Sequence, residues 1–245
     1  MEILEQAKTT LGNDIELIGN PVGNGVLVIG VFHGDEPQGK ILIDEYIKFQ
    51  NSNAILPLES LDKFCDNTLK SLISKEGEKD SCRNLLFIPC LNPDGMQLGK
   101  RTNSNGVDLN RNFPTKNWGQ NKGENATCDD CTSDYFGGVA PASEIETQFV
   151  INVIEKYSPS CILTLHAPYK VVNYDGPAKE IAQEISKIIG YPAEGSIGYP
   201  TPGSFGTYCG VERNIPTITL ELDEETPVEN LIQPMFEIFE LLDDF

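Results

Sequence analysis

The stretch Gly25–Gln50, GVLVIGVFHGDEPQGKILIDEYIKFQ, changes character at His33. Before it, Gly25–Phe32 is an apolar run rich in β-branched residues, as in a strand buried on both faces. After it, PQGKILIDEYIKFQ spaces its apolar residues at helical intervals, with Pro37 tolerated in the first turn. Strand, corner and helix in that order open an α/β unit. The corner holds His33 and, three residues on, Glu36. On spacing alone, H-x-x-E is weak support for a metal site. A histidine at a strand end is usually structural, and a glutamate in a first helical turn is usually a dipole partner.

Working outward, NLLFIPC, CILTLH and TITLEL read as further buried strands. ASEIETQFVINVIEKYSP reads as a helix, with Ser143 and Glu146 as a capping box and Pro159 helping to stop it. DGPAKEIAQEISKIIG reads as another, with Pro177 in its first turn and Gly190 as its C-terminal stop. The last helix runs through VENLIQPMFEIFELLDDF, with Pro234 either kinking it or marking its true start. This alternation predicts one α/β domain over residues 1–245: a twisted, mixed but mostly parallel sheet flanked by helices on both faces. Asn51–Asn84, polar and charged around a weak helix, is expected to be a surface excursion. Asn117–Gly138 reads as a long loop, a feature often tied to function in α/β enzymes.

The chain of 245 residues can bury a sizeable core, and 39% of them are hydrophobic. The sequence has no long apolar span for a membrane helix, and MEILEQAKTTLGND lacks the charged-then-apolar layout of a secretory signal. The seven cysteines are mostly scattered singly, which fits a reducing compartment. A cytoplasmic location is the expectation. Cys128 and Cys131 form a C-x-x-C that supplies only two ligands, and a surface loop able to close a local disulfide is the simpler reading. The formal charge of −19 counts against nucleic-acid binding. It does not forbid an anionic small substrate, because a cation and a few arginines can reverse the potential inside a cleft.

In open α/β sheets, ligands bind beyond the carboxyl ends of the strands. His33 and His166, the only 2 histidines, both fall at such ends, and Glu221 sits at or near the end of TITLEL. Two imidazoles and a carboxylate with an open water position form a known catalytic zinc arrangement. The stretch LNPDGMQLGKRTNSNGVDLNRNFPTKNW (Leu91–Trp118) reads as irregular and polar, and groups Arg101, Asp108, Asn110 and Arg111. A solvated loop would also use its Asn and Gly for turns, but it does not require that grouping.

H-x-x-E, then an arginine, DLNRNFP, a distant histidine and a glutamate together resemble the zinc carboxypeptidase superfamily. The middle stretch, YPTPGSFGTYC and ITLE most resemble its bacterial branch of cell-wall peptide amidases. The resemblance runs from about Gly25 to Glu221 and does not extend to Asn51–Asn84 or the Cys128–Cys131 loop. It implies one Zn²⁺ per chain, held by His33, Glu36 and His166, and not by Asp35, which is equally eligible by type. It makes Glu221 the general base and acid, and Arg101 the group that polarises the scissile carbonyl. Asn110 and Arg111 would bind the carboxylate of the released residue, and Asp108 would orient a zinc-bound imidazole, His33. Tyr199 would contact substrate, with Tyr208 a competitor for that role. The implied substrate is a small peptide, murein tripeptide, cut at its γ-D-glutamyl–meso-diaminopimelate amide, with neither nucleic acid nor membrane as partner. A conventional zinc carboxypeptidase, a deacylase of the aspartoacylase or succinylglutamate desuccinylase kind, and an inactive metal-holding module remain open. Two expectations concern specificity: TPGSFG (Thr201–Gly206) shapes the pocket, and Asp223, Glu224 and Glu225 hold the distal ammonium of diaminopimelate. Cys209 is expected to pack in the core.

Overall fold

The computed structural model describes residues 1–20, 24–52, 84–119, 134–196, 198 and 200–244. The Cys128–Cys131 loop, most of Asn51–Asn84 and Tyr199 lie outside these residues. Four parallel strands form the centre of the sheet: β3 (Val26–Gly30), β4 (Leu85–Ile88), β5 (Cys161–His166) and β8 (Thr217–Glu221). An antiparallel hairpin, β1 (Glu2–Lys8) and β2 (Asp14–Gly19), extends one side. On the other side β6 (Val171–Asp175) runs antiparallel to β8 and carries the short β7 (Ala193–Glu194). Among the described residues this makes an 8-stranded mixed sheet in the order β1-β2-β4-β3-β5-β8-β6-β7.

The central strands are buried on both faces, so alternate residues feed two cores. Val26, Val28, Phe87, Leu163 and Leu165 face one core with helices α1 (Gln38–Ser52), α4 (Lys179–Ile189) and α5 (Val228–Asp243). Leu27, Ile29, Leu86 and Ile162 face the other, where Phe149 and Val153 of helix α3 (Ile145–Tyr157) meet Phe32, Phe113 and Phe205. Each such aliphatic side chain contributes about 1.5–3 kcal/mol on full burial. The mostly parallel sheet with helices on both faces is therefore as the sequence predicts.

Several details differ from the expectations. The edge strands β1, β2, β6 and β7 were not legible as strands. The middle stretch is not wholly irregular. It contains helix α2 (Pro93–Leu98), capped where Asn92 Oδ1 accepts a hydrogen bond from the Gly95 N–H and closed by left-handed Gly99. It also contains a 3₁₀ turn at Leu109–Arg111, whose start is capped by Asp108. The Ser143–Glu146 capping box does not form. Helix α3 starts one residue later, after Glu144, which makes no side-chain cap. Ser143 Oγ instead donates to Glu144 Oε1 and accepts from Asn112 Nδ2. Pro177 precedes α4, which starts after Ala178 and ends at left-handed Gly190. Pro234 lies inside α5 and does not mark its start, which follows Pro227.

The corner after β3 is held tightly. The Leu91 and Asn92 N–H groups donate to Gly30 and Val31 O, carrying the ladder past the end of the strand. Val31 adopts φ +55, a costly conformation for a β-branched residue. Asn92 Nδ2 donates to Phe32 O, so one side chain both caps α2 and pins the corner. Gly34 lies against α2, where an added Cβ would come within 2.0 Å of the Gly95 carbonyl carbon. Glycine is required there by close approach, and that approach fixes where His33 points.

Candidate metal centre and substrate cavity

The ends of three central strands converge. His33 follows β3, His166 ends β5, and Glu221 ends β8 directly beside His166 in the parallel register. Glu36 enters from the first turn before α1. His33, Glu36 and His166 offer ligand atoms that all lie within 4.8 Å of one another, and no other group of three or more His, Cys, Asp or Glu does so among the described residues. Glu36 Oε1 is 2.7 Å from His33 Nδ1, and its Oε2 is 3.2 Å from His166 Nδ1. The two Nδ1 atoms are 3.3 Å apart. Phe32 stacks on the His166 ring at 5.2 Å and 27°, limiting its rotation. Asp35, next in sequence, is exposed on the cavity rim and is not in the cluster.

Asp108 is fully buried behind His33, with Oδ1 3.3 Å from His33 Nε2. That distance gives an ion pair, although the ring N–H is not well aligned for a hydrogen bond. Asp108 Oδ2 also accepts from Arg101 Nε and Nη2, and Oδ1 from the Asn110 N–H. Burial opposes the Asp108 charge, but His33, Arg101 and Arg111 outweigh it and hold the carboxyl well below its usual range. Burial alone would lower the His33 pKa; the Asp108 and Glu36 carboxylates bring it up to about 9. Burial would raise Glu36, yet His166 and His33 hold it at about 2.

These shifts have one geometric origin. With its Nε2 turned to Asp108, His33 directs Nδ1 at the same point as His166 Nδ1 and the Glu36 carboxylate. Three electron-pair donors facing one another need positive charge between them. A divalent cation fits that point, and the imidazole–carboxylate donor set suits zinc.

The cluster opens into a cavity of about 240 Å³. Arg101, Asn110, Arg111 and Glu221, all singled out from the sequence, line it. Glu221 is buried, one of its oxygens has no hydrogen-bond partner, and burial first, then Glu36, pushes its pKa up against the pull of the histidines. Arg111 is buried, and its Nη1 donates to Asn110 O. Asn110 Oδ1 accepts from the Phe205 N–H, tying the middle stretch to Thr201–Gly206. Thr201, Ser204 and Gly206 do line the cavity, and Cys209 is packed in the core. Tyr208 is buried in that core and is not among the lining residues, so Tyr208 is not placed as the substrate tyrosine.

Sequence reasoning missed Tyr135 and Asp175. Tyr135 lines the cavity with the Arg101 guanidinium 5.1 Å and the Arg111 guanidinium 5.8 Å from its ring centre. Its place in Asn117–Gly138, already suspected of function, was the available signal. Asp175 lines the cavity from the end of β6, a strand the sequence reading did not contain. Of the acidic run, Glu224 lines the cavity, whereas Asp223 is paired with Lys170 at 2.8 Å.

Residues 80–183 match the model of the zinc carboxypeptidase family. That span contains Arg101, Asp108, Asn110, Arg111 and His166, while His33, Glu36 and Glu221 lie outside it and join them only in space. The chain is thus similar to zinc carboxypeptidases in sequence at its centre and in fold throughout. Among particular proteins, it is 34% identical over 146 residues to murein peptide amidase A of Escherichia coli strain K12, covering 58% of this chain and 59% of that protein. It is 38% identical over 143 residues to murein peptide amidase A of Vibrio campbellii, covering 55% of each. These alignments span less than two thirds of the relatives' own length. The crystal structure of the murein-tripeptide amidase from E. coli O157 superposes with a TM-score of 0.69 at 24% identity, covering 96% of this chain and 89% of that one.

Proposed function

We propose that the chain is a zinc-dependent hydrolase that cuts the γ-D-glutamyl–meso-diaminopimelate amide of murein tripeptide in cell-wall peptide recycling. The observation that carries this reading is the shared cavity. The His33–Glu36–His166 cluster, a buried carboxyl at Glu221 and the guanidinium of Arg111 all meet there. The names of the murein peptide amidase relatives support the substrate class.

When bound by His33, Glu36 and His166, zinc supplies Lewis acidity toward water and the scissile carbonyl. Glu221 removes a proton from the attacking water and delivers it to the departing amine. Its raised pKa suits both steps, because a carboxyl closer to neutrality takes and returns a proton more easily. Arg101 offers N–H donors where negative charge develops on the carbonyl oxygen, and Asp108 anchors it. Arg111 and Asn110 grip the carboxylate of the released residue, a role for which a guanidinium gives two parallel hydrogen bonds. Asp108 also orients His33. Tyr199 remains the proposed substrate tyrosine. The free cysteines Cys90, Cys161 and Cys209 are in keeping with a cytoplasmic enzyme.

The test is a three-substrate comparison. Zinc-loaded protein should release diaminopimelate from L-Ala-γ-D-Glu-meso-diaminopimelate and leave hippuryl amino acids and N-acetylaspartate intact. Cleavage of the hippuryl substrates alone would make it a conventional carboxypeptidase, and of N-acetylaspartate alone a deacylase. No turnover of any with zinc bound would make it a binding module.

A further inference from the structure

Arg101 and Asp108 meet across the base of a tight turn. The Arg101 guanidinium donates to Asp108 Oδ2 from Nε and Nη2 at 3.2 and 3.0 Å, so residues 102–107 must fold back on themselves. Both ends of the turn are tied down. Arg101 O accepts from the Gly34 N–H and from Asn92 Nδ2, beside the metal corner, and the Asp108 N–H donates to Phe136 O. Closing such a loop costs chain entropy, and buried N–H groups inside it need acceptors.

The Asn103 side chain supplies them. It is buried, and its Oδ1 accepts from the Asn105 N–H at 3.1 Å and the Val107 N–H at 3.0 Å. The Asn103 backbone N–H donates to Val107 O, and its O accepts from the Gly106 N–H, which closes the turn. Gly106 takes φ +74, a conformation that favours glycine.

The other end of the amide points away from the turn. Asn103 Nδ2 donates to Glu144 Oε2 at 2.8 Å and to Glu146 Oε2 at 3.3 Å, both buried carboxyls at the start of α3. The amide therefore uses both of its donors and both lone pairs. Only this orientation sets its oxygen on N–H groups and its nitrogen on carboxyls. Asn103 is not among the cavity-lining residues, yet it joins the turn that carries Arg101 and Asp108 to a helix of the core.

We propose that Asn103 is a positioning residue: by fixing the turn against Glu144 and Glu146, it sets Arg101 for the scissile carbonyl and Asp108 for His33. Those two roles belong to the hydrolase reading above, on which the proposal rests. Asn103 acts only through them and touches neither substrate nor metal. Asn103→Ala takes the acceptor from the Asn105 and Val107 N–H groups and the shared donor from the carboxyl pair. The turn then loses its single geometry, and Arg101 and Asp108 lose theirs with it.

Two double-mutant cycles test this. The first reads zinc affinity by competition with a chelator and needs no turnover. Asn103→Ala should weaken zinc binding at least about threefold in the wild-type background, and not at all in an Asp108→Asn background. The second reads tripeptide hydrolysis. Asn103→Ala should lower kcat about tenfold with KM changed by less than about twofold, and should cause no further fall in an Arg101→Ala background. Asn103→Ser keeps a hydroxyl that can accept from the Asn105 N–H but does not span to the carboxyls. It should behave as Asn103→Ala does, and it carries both cycles if the alanine variant does not fold. Unchanged zinc affinity overturns the proposal, as does unchanged kcat in a protein that cleaves the tripeptide. So does an equal loss in both backgrounds of either cycle, which marks a general loss of stability. If the wild-type protein binds zinc but cleaves no substrate, the hydrolase reading fails, and the zinc cycle alone decides for or against Asn103.

Discussion

The metal corner and the Asn103–Glu144–Glu146 cluster each bury carboxylates, and they neutralise them in opposite ways. At the corner, Glu36 and Asp108 stay ionised because imidazoles and guanidiniums outweigh the cost of burial. In the other cluster the donors are neutral, side-chain amides and the Ser143 hydroxyl. Asn103 Nδ2 donates to both Glu144 and Glu146, and Asn105 Nδ2 donates to Glu144. One Glu146 oxygen has no partner, and burial, with Glu144 adding repulsion, pushes its pKa up to about 7. The first arrangement suits a cation and the second suits a proton. Buried acids alone do not make a metal site; what faces them decides.

The largest expected effect is at the corner. Glu221→Gln should retain zinc and lower tripeptide turnover by about 10²–10⁴-fold, since it removes the proton carrier and leaves the ligands. Turnover that survives the substitution would contradict the proposed mechanism. The next effect belongs to the amide cluster. Glu146 has a folded pKa raised from the ordinary value of 4.5 to about 7. Its stabilising contribution is therefore full below pH about 4.5 and is lost as pH rises through about 7. The loss is on the order of 3 kcal/mol. Glu146→Gln should flatten that part of the stability-versus-pH curve measured by urea melts; an unchanged slope would mean that Glu146 is ionised throughout. Asp108→Asn should weaken zinc affinity by about 10–100-fold, measured by competition with a chelator, because His33 loses its anionic partner. Equal affinity in the variant would remove Asp108 from the metal centre. The smallest effect is expected at Asp223, whose carboxylate already has a cation of its own. Asp223→Asn should leave KM for the tripeptide unchanged, and a raised KM would support the expectation that this acidic run holds the distal ammonium.

The same contrast explains what could be read from the sequence. His33, His166 and Glu221 were legible because each closes an apolar run, and the ends of parallel central strands share one edge of the sheet. Arg101, Asp108, Asn110 and Arg111 were legible as a dense polar group that bulk solubility does not require. Edge strands carry no such signal. EILEQAK mixes charge into a half-exposed strand with a register irregularity between Ile3 and Glu5, so no clean alternation survives. VVNYD is short and follows His166 closely. With β6 unread, Asp175 could not be placed, because its position depends on antiparallel pairing with β8. The Ser143–Glu146 pattern misled because Asn112 claims the Ser143 hydroxyl, a contact 31 residues away in sequence that local spacing does not contain.

Zinc content after loading and exhaustive dialysis tests the central claim most directly. The wild-type protein and Glu146→Gln should each keep about one zinc per chain, and His166→Ala should keep none. A wild-type protein without zinc, or a His166→Ala protein that retains it, would contradict the assignment of His33, Glu36 and His166 as the metal centre.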